Sequence, residues 1–190
     1  MKLIGGDETM QGLNTPRLCM RQWRETDAAA FAAMNADPKV MEFFPRGLCR
    51  EESDALLAQL SAQNAQQGWG IWAMERRSDA RLLGFAGLKT VASDLPFAPA
   101  TEIAWRLAAD AWGQGYAYEA AQAALDYGFA TLNMPEIVAM TAVVNTRSRA
   151  LMERLNMRRG DDFEHPQLAV GSPLRRHCLY TLAAPALQAF

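Results

Sequence analysis

The segment from Glu102 to Glu119, EIAWRLAADAWGQGYAYE, constrains the fold of this chain more than any other feature. Its first part has the residue pattern of a strand over Thr101–Leu107, and its alanine-rich last part predicts a helix that runs to about Thr131. The connecting loop carries Gly113 and Gly115. A strand that leads through such a loop into a helix presents unpaired backbone N–H groups and the positive end of a helix dipole. Both features favour a bound pyrophosphate.

Several kinds of loop share this outline. The Rossmann dinucleotide fingerprint needs a third small residue three positions after the second glycine, and Tyr118 stands there instead. A Walker A loop needs Gly-Lys-Ser or Gly-Lys-Thr, and neither sequence follows. The glycines are also compatible with a loop that only turns the chain into the helix. Taken alone, the loop leaves its ligand open.

The periodicity of the remaining segments predicts a mixed α+β sheet covered by helices. The residues before position 15 predict a loose leader, and residues 15–190 a single domain. Residues 159–173 resemble a loop, and Asp37-Pro38 has the form of a helix start. The other predicted strands are Leu18–Trp23, Trp69–Glu75, Leu82–Lys89, Pro135–Val144 and Leu174–Leu182, and the other predicted helices are Asp27–Asn35, Glu51–Gln67 and Asn145–Leu155.

Composition excludes several classes of function. The 190 residues carry a formal net charge of −2 and no dense Lys/Arg run, which disfavours nucleic acid as a partner. The 3 cysteines are far apart and odd in number, so they predict neither a disulfide framework nor a metal site. The N-terminus has no signal-peptide core, and no apolar run reaches the length of a membrane span. We therefore expect a cytoplasmic protein that binds no metal and no membrane.

Two motifs resemble those of one known family. W-G-Q-G-Y-A at Trp112–Ala117 resembles the coenzyme A loop of the GNAT acetyltransferase superfamily. Downstream, N-T-R-S-R-A-L-M-E-R-L-N-M at Asn145–Met157 resembles the helix that follows in that family. The segments at Thr15–Ala28 and Asp37–Met41 are similar to its RimJ/RimL-like branch, which acetylates ribosomal-protein N-termini. The resemblance covers roughly residues 15–182.

This resemblance implies a fold, a co-substrate and a site. The fold is a single-domain, mostly antiparallel central sheet flanked by helices, and the co-substrate is acetyl-CoA. Two neighbouring strands splay apart in the family so that the pantetheine arm inserts beside one of them, and the pyrophosphate rests on the glycine loop. The residues implied in coenzyme binding are Trp105, Leu107, Trp112, Gly113, Gln114, Gly115, Tyr116, Ala117 and Asn145.

The resemblance also implies two catalytic candidates. Glu102 is the candidate general base, and its alternative role is a sheet-edge carboxylate or a salt-bridge partner. Many members place a proton-donating tyrosine where this chain has Met152, so Ser148 becomes the candidate acid. Ser148 could instead be a solvated or capping hydroxyl, and Asn145 a helix N-cap.

The function implied is transfer of an acetyl group from acetyl-CoA to a primary amine. No cysteine falls in either motif, which favours direct transfer over a covalent enzyme intermediate. The amine acceptor is left open between a protein N-terminus and a small molecule, and the oligomeric state between monomer and homodimer. The alternative function is a coenzyme A-binding sensor or regulatory module that has lost turnover.

Overall fold

One eight-stranded sheet and the helices that cover it make up residues 11–185, which are the residues that the computed structural model describes. The strands are β1 (Leu13–Asn14), β2 (Leu18–Arg21), β3 (Ile71–Arg76), β4 (Leu82–Thr90), β5 (Thr101–Leu107), β6 (Glu136–Ala142), β7 (Arg158–Glu164) and β8 (Arg176–Ala183). The helices are α1 (Ala28–Ala36), α2 (Arg50–Gln67), α3 (Tyr116–Ala130) and α4 (Thr146–Arg154).

The strands lie in the order β1-β2-β3-β4-β5-β6-β8-β7. Neighbouring strands run antiparallel except β5 and β6, which run parallel. This arrangement confirms the prediction of a mixed, mostly antiparallel sheet flanked by helices.

The parallel pair is the irregular point of the sheet. Only one register pair, Glu102 with Val138, joins β5 to β6 in the described chain. In contrast, every residue of β5 pairs with β4, and every residue of β6 pairs with β8. Beyond Glu102 the two strands therefore separate and leave an opening in the middle of the sheet.

Two clusters of buried side chains hold the helices on opposite faces of the sheet. Side chains alternate between the faces of a strand, so Ile103 and Leu107 of β5 pack with α3 and α4. The cluster on the other face joins Phe85 of β4 to Phe31 of α1 and to α2, and Ala104 packs against it. The even-numbered residues of β5 therefore belong to the face that carries α1 and α2.

Two local predictions are wrong. No helix starts at Asp37-Pro38, because Asp37 is the C-cap of α1 and turns follow it. The expected loop over 159–173 contains β7, which pairs with β8 at the edge of the sheet. Its sequence, RRGDDFE, lacks apolar alternation because an edge strand can leave both side-chain faces largely exposed.

The start of the chain is ordered earlier than expected within the described residues. Leu13 and Asn14, which the sequence placed in the loose leader, form β1 and pair with Met20 and Cys19. Residues 1–10 of that predicted leader lie outside the described residues.

Candidate active site

A cleft of about 1180 Å³ occupies the opening between β5 and β6. Ligand pockets typically measure about 300–1,000 Å³, so this cleft is large enough for a ligand of extended shape. Gln114 is the one candidate residue outside it. The candidates that line the cleft are Glu102, Trp105, Leu107, Trp112, Gly113, Gly115, Tyr116, Ala117, Asn145 and Ser148.

The glycine loop forms one wall of the cleft. Gly113 and Gly115 adopt the left-handed conformation, with φ of 72° and 82°, which L side chains rarely adopt. The first backbone bond of α3 runs from Glu119 N to Gly115 O at 3.1 Å. The N–H groups of residues 113–117 have no acceptor among the described residues. This row of free donors at a helix N-terminus fits a pyrophosphate.

Arg17 holds this loop from outside, and sequence reasoning assigned it no role. Its Nη1 donates to the Gln114 carbonyl at 2.8 Å, and its Nε donates to Glu119 Oε2 at 2.6 Å. Its guanidinium also lies 4.6 Å from the centre of the Tyr116 ring. Burial disfavours the Glu119 carboxylate, but hydrogen bonds from Thr15 and Arg17 outweigh it and lower its pKa.

Trp112 ties the loop to the end of β5. Its indole Nε1 donates to the Leu107 carbonyl at 3.0 Å. The Arg147 guanidinium stacks 4.6 Å from the centre of the Trp112 ring and forms an ion pair with Glu42. The loop, the end of β5 and the start of α4 are therefore joined around one tryptophan.

Along β5, the backbone and not the side chain of Leu107 is the group that could meet a ligand. The Leu107 side chain is buried in the core beneath α3, whereas Trp105 is half-buried. The edge of β5 that faces β6 has no register partner after Glu102 within the described residues. A strand edge of this kind can pair with an extended ligand through backbone groups.

Glu102 lies at the point where the two strands separate. It is 5 % exposed, and an ion pair at 3.1 Å with Lys89 on β4 is its one close polar contact within the described chain. Burial raises the pKa of Glu102 above its ordinary value, and Lys89 only partly opposes this effect. The salt-bridge role considered for Glu102 is therefore present, and its raised pKa also suits proton abstraction near neutral pH.

Asn145 caps α4. Its Oδ1 accepts from Ser148 N at 3.2 Å, and its Nδ2 donates to Thr141 Oγ1 and Ser148 Oγ at 2.9 and 3.1 Å. The capping role considered for Asn145 is thus present. Ser148 Oγ accepts one of these bonds and keeps its own proton for a further partner. Met152 is 2 % exposed in the core and has no proton to offer.

Other residues line the cleft that the sequence did not assign to a site. Phe43 and Phe44 lie in its wall, as does Arg106. His165 and His177 also line it, with ring centroids 4.8 Å apart. Burial lowers the pKa of both histidines, so both are neutral at pH 7.

Residues 11–185 contain neither a metal-binding cluster nor a membrane-spanning helix. No group of 3 or more His, Cys, Asp and Glu side chains there is arranged to hold a metal ion. Within the same range, every helix is too short or too polar to cross a membrane.

Comparisons with known proteins agree on one family. The model of the acetyltransferase (GNAT) domain matches residues 17–158. The uncharacterized N-acetyltransferase YnaD of Bacillus subtilis is 29% identical over 153 residues, which cover 80% of this chain and 85% of that protein.

Solved structures of acetyltransferases share the fold. The GNAT-family acetyltransferase of Bacillus anthracis has a TM-score of 0.77 at 24% identity, covering 91% of this chain and 98% of that one. The ribosomal-protein-S5-alanine acetyltransferase of Vibrio fischeri has a TM-score of 0.74 at 15% identity, covering 94% of this chain and all 100% of that one. At these identities the likeness is one of fold alone.

Proposed function

The chain belongs to the GNAT acetyltransferase family, and on that premise we propose that it transfers the acetyl group of acetyl-CoA directly to a primary amine. The observation that carries the proposal is the opening between β5 and β6, which ends at the glycine loop. The opening offers a free strand edge, and the loop offers free amides. Together they suit a ligand with an extended amide-bearing arm and a pyrophosphate.

The coenzyme end of the site would use the residues around the loop. The amides of residues 113–117 would hold the pyrophosphate, with Arg17 and Trp112 fixing the loop in place. The free edge of β5 at Trp105–Leu107 would bind the arm, and Asn145, which lines the cleft at the start of α4, would add a contact from the opposite side. Acetyl-CoA supplies an activated thioester carbonyl, which a backbone N–H on this edge would polarise.

The catalytic roles fall to Glu102 and Ser148. Glu102 would accept a proton from the amine, directly or through a water molecule. Ser148 has a hydroxyl proton available and lines the same cleft, so it is the candidate donor to the departing thiolate. Thiolates are good leaving groups, and we expect the contribution of Ser148 to be the smaller of the two.

The similar proteins suggest one class of amine acceptor. The ribosomal-protein-S5-alanine acetyltransferase of Vibrio fischeri shares the fold at 15% identity, and its name points to a protein N-terminus as an acceptor to test. We therefore keep the RimJ/RimL-like branch as a hypothesis that a peptide acceptor would support. We also propose a cytoplasmic location and a reaction that needs no metal ion.

A screen of amines tests the proposal. The protein is incubated with acetyl-CoA and single amines, namely amino acids, polyamines and peptides with free N-termini, and the free thiol released is measured with a chromogenic thiol reagent. We expect release with at least one class of amine and acetylated product by mass spectrometry. Binding of acetyl-CoA with no release for any amine would support the sensor alternative. Addition of a metal chelator is expected to leave the rate unchanged.

A further inference from the structure

Arg106 is a half-buried cation in the cleft wall whose Nε atom is fully buried, and it forms no ion pair within the described residues. It lies on β5 on the same face as Glu102 and lines the cleft. Two other charged side chains at this wall have an ion-pair partner: Glu102 pairs with Lys89, and Arg147 pairs with Glu42. Glu102 cannot be the counterion of Arg106, because the two Cα atoms lie four residues apart on the strand, which is about 13 Å.

The surroundings of Arg106 are mainly aromatic. The Phe44 and Phe85 rings lie 4.2 and 5.3 Å from its guanidinium carbon, and its Nε has no acceptor in the described chain. Burial lowers the pKa of Arg106 to about 10, so it remains charged at pH 7. Removing part of a charge from water without a counterion is costly, and a ligand that carries the opposite charge offsets this cost.

The guanidinium is also held in place. Its Nη1 donates to Asn35 Oδ1 at 2.7 Å, and Asn35 Nδ2 donates to Ser53 Oγ at 2.8 Å. Asn35 and Ser53 are both fully buried between α1 and α2. Because one side of the guanidinium is fixed, its remaining N–H groups keep a constant direction, which suits recognition of a planar anion.

We propose that Arg106 binds a carboxylate of the amine acceptor, so that the acceptor is an amino acid with an apolar or aromatic side chain. This inference rests on the proposed acetyl transfer. Arg106 follows Trp105, whose backbone lies at the proposed position of the acetyl group. When the carboxylate of an acceptor binds Arg106, the amine of the same molecule, only a few bonds away, lies toward the acetyl group. Phe43 and Phe44 supply an apolar wall for its side chain. In a protein N-terminus the first carboxyl group lies in a peptide bond and has no charge to offer.

Matched pairs of acceptors test this inference. L-Phenylalanine, L-leucine, L-methionine and L-tryptophan are each compared with their C-terminal amides, using acetyl-CoA and thiol release. For at least one pair we expect kcat/KM to be about 10- to 100-fold higher for the acid, the range of a charged hydrogen bond. Arg106→Gln should remove that preference while acetyl-CoA still raises the melting temperature of the variant. Arg50→Gln, which removes an exposed arginine paired with Asp54, is the charge-matched control.

Binding without turnover gives a second measurement. With coenzyme A present, the preferred acid should raise the melting temperature of the wild type, and its amide should not. Three results would overturn the inference but not the proposed acetyl transfer. These are equal rates for acids and amides, turnover of neutral amines or peptides only, and an acid preference that persists in Arg106→Gln. Coenzyme binding with no turnover of any carboxylate-bearing amine would overturn it as well. If acetyl-CoA does not bind, the proposed function itself fails.

Discussion

Glu102→Gln is expected to lower kcat by about 10²–10³-fold, as loss of a general base usually does. The amide cannot accept a proton, but it preserves the shape of the side chain at the point where β5 and β6 separate. KM for acetyl-CoA should change little, because the glycine loop is untouched. Steady-state kinetics of thiol release measures both constants. Glu136→Gln, which changes an exposed carboxylate at the start of β6, is the matched control and should retain the wild-type rate.

The pH dependence of the reaction rate also tests the role of Glu102 as a base. Burial raises the pKa of Glu102, so the wild-type rate should increase with pH as Glu102 loses its proton, with a midpoint above that of an ordinary glutamate. In Glu102→Gln this rising limb of the pH–rate profile should be absent. Lys89→Met removes the cation that stabilises the carboxylate and should move the limb to higher pH. A wild-type rate in Glu102→Gln, or an unchanged limb in that variant, would place the base elsewhere.

As pH rises, the contribution of Glu102 to the free energy of unfolding should fall, whereas the reaction rate should increase. A raised pKa in the folded state means that the protonated form of Glu102 stabilises the fold. That contribution is present below the unfolded pKa and is lost as pH rises through the folded pKa. Urea unfolding should therefore show Glu102→Gln at least as stable as the wild type at pH 8.

Gly115→Val is expected to raise KM for acetyl-CoA by about 10- to 100-fold, the equivalent of one or two lost hydrogen bonds to phosphate. The left-handed φ of 82° at Gly115 strains any β-branched residue, and an added Cβ would lie 3.3 Å from Arg17 Nη2. The loop must then move, and its free amides lose their alignment. Initial rates over a range of acetyl-CoA concentrations measure the effect.

Gly171→Val provides the matched control for this loop. Gly171 has a similar φ of 85°, has open space around it and lies outside the cleft. Both variants should lose stability to a similar extent, about 1–2 kcal/mol for a left-handed residue. Only Gly115→Val should change KM. An equal KM in both variants would show that the loop does not hold the coenzyme.

Local patterns predicted the elements whose residues carry their own signal. β5 has the predicted bounds, Thr101–Leu107. Gly68 ends α2 and Asn156 follows α4, both in the left-handed conformation that glycine and asparagine adopt most readily at helix ends. These features depend on neighbours within a few residues, so one sequence contains the information.

The remaining features depend on contacts between distant segments. Arg17 reaches the loop across about a hundred residues of chain, and its position in the T-P-R-L segment was the one available signal. Arg106 lacks a counterion within the described residues because the side chains that α1 and α2 place beside it are uncharged, as with Asn35. β7 was missed because its partner strand β8, and not its own side chains, specifies it. Such relations require the assembled sheet.

The melting temperature with and without acetyl-CoA tests the central claim most directly, because a ligand that binds only the folded state stabilises it by mass action. At a concentration about 100-fold above its Kd, acetyl-CoA should add about 2.7 kcal/mol and raise the melting temperature by several degrees. Glu102→Gln should show the same increase, Gly115→Val a smaller one, and NADH none. No increase with acetyl-CoA at hundreds of micromolar, or an equal increase with NADH, would contradict the assignment of this cleft to coenzyme A.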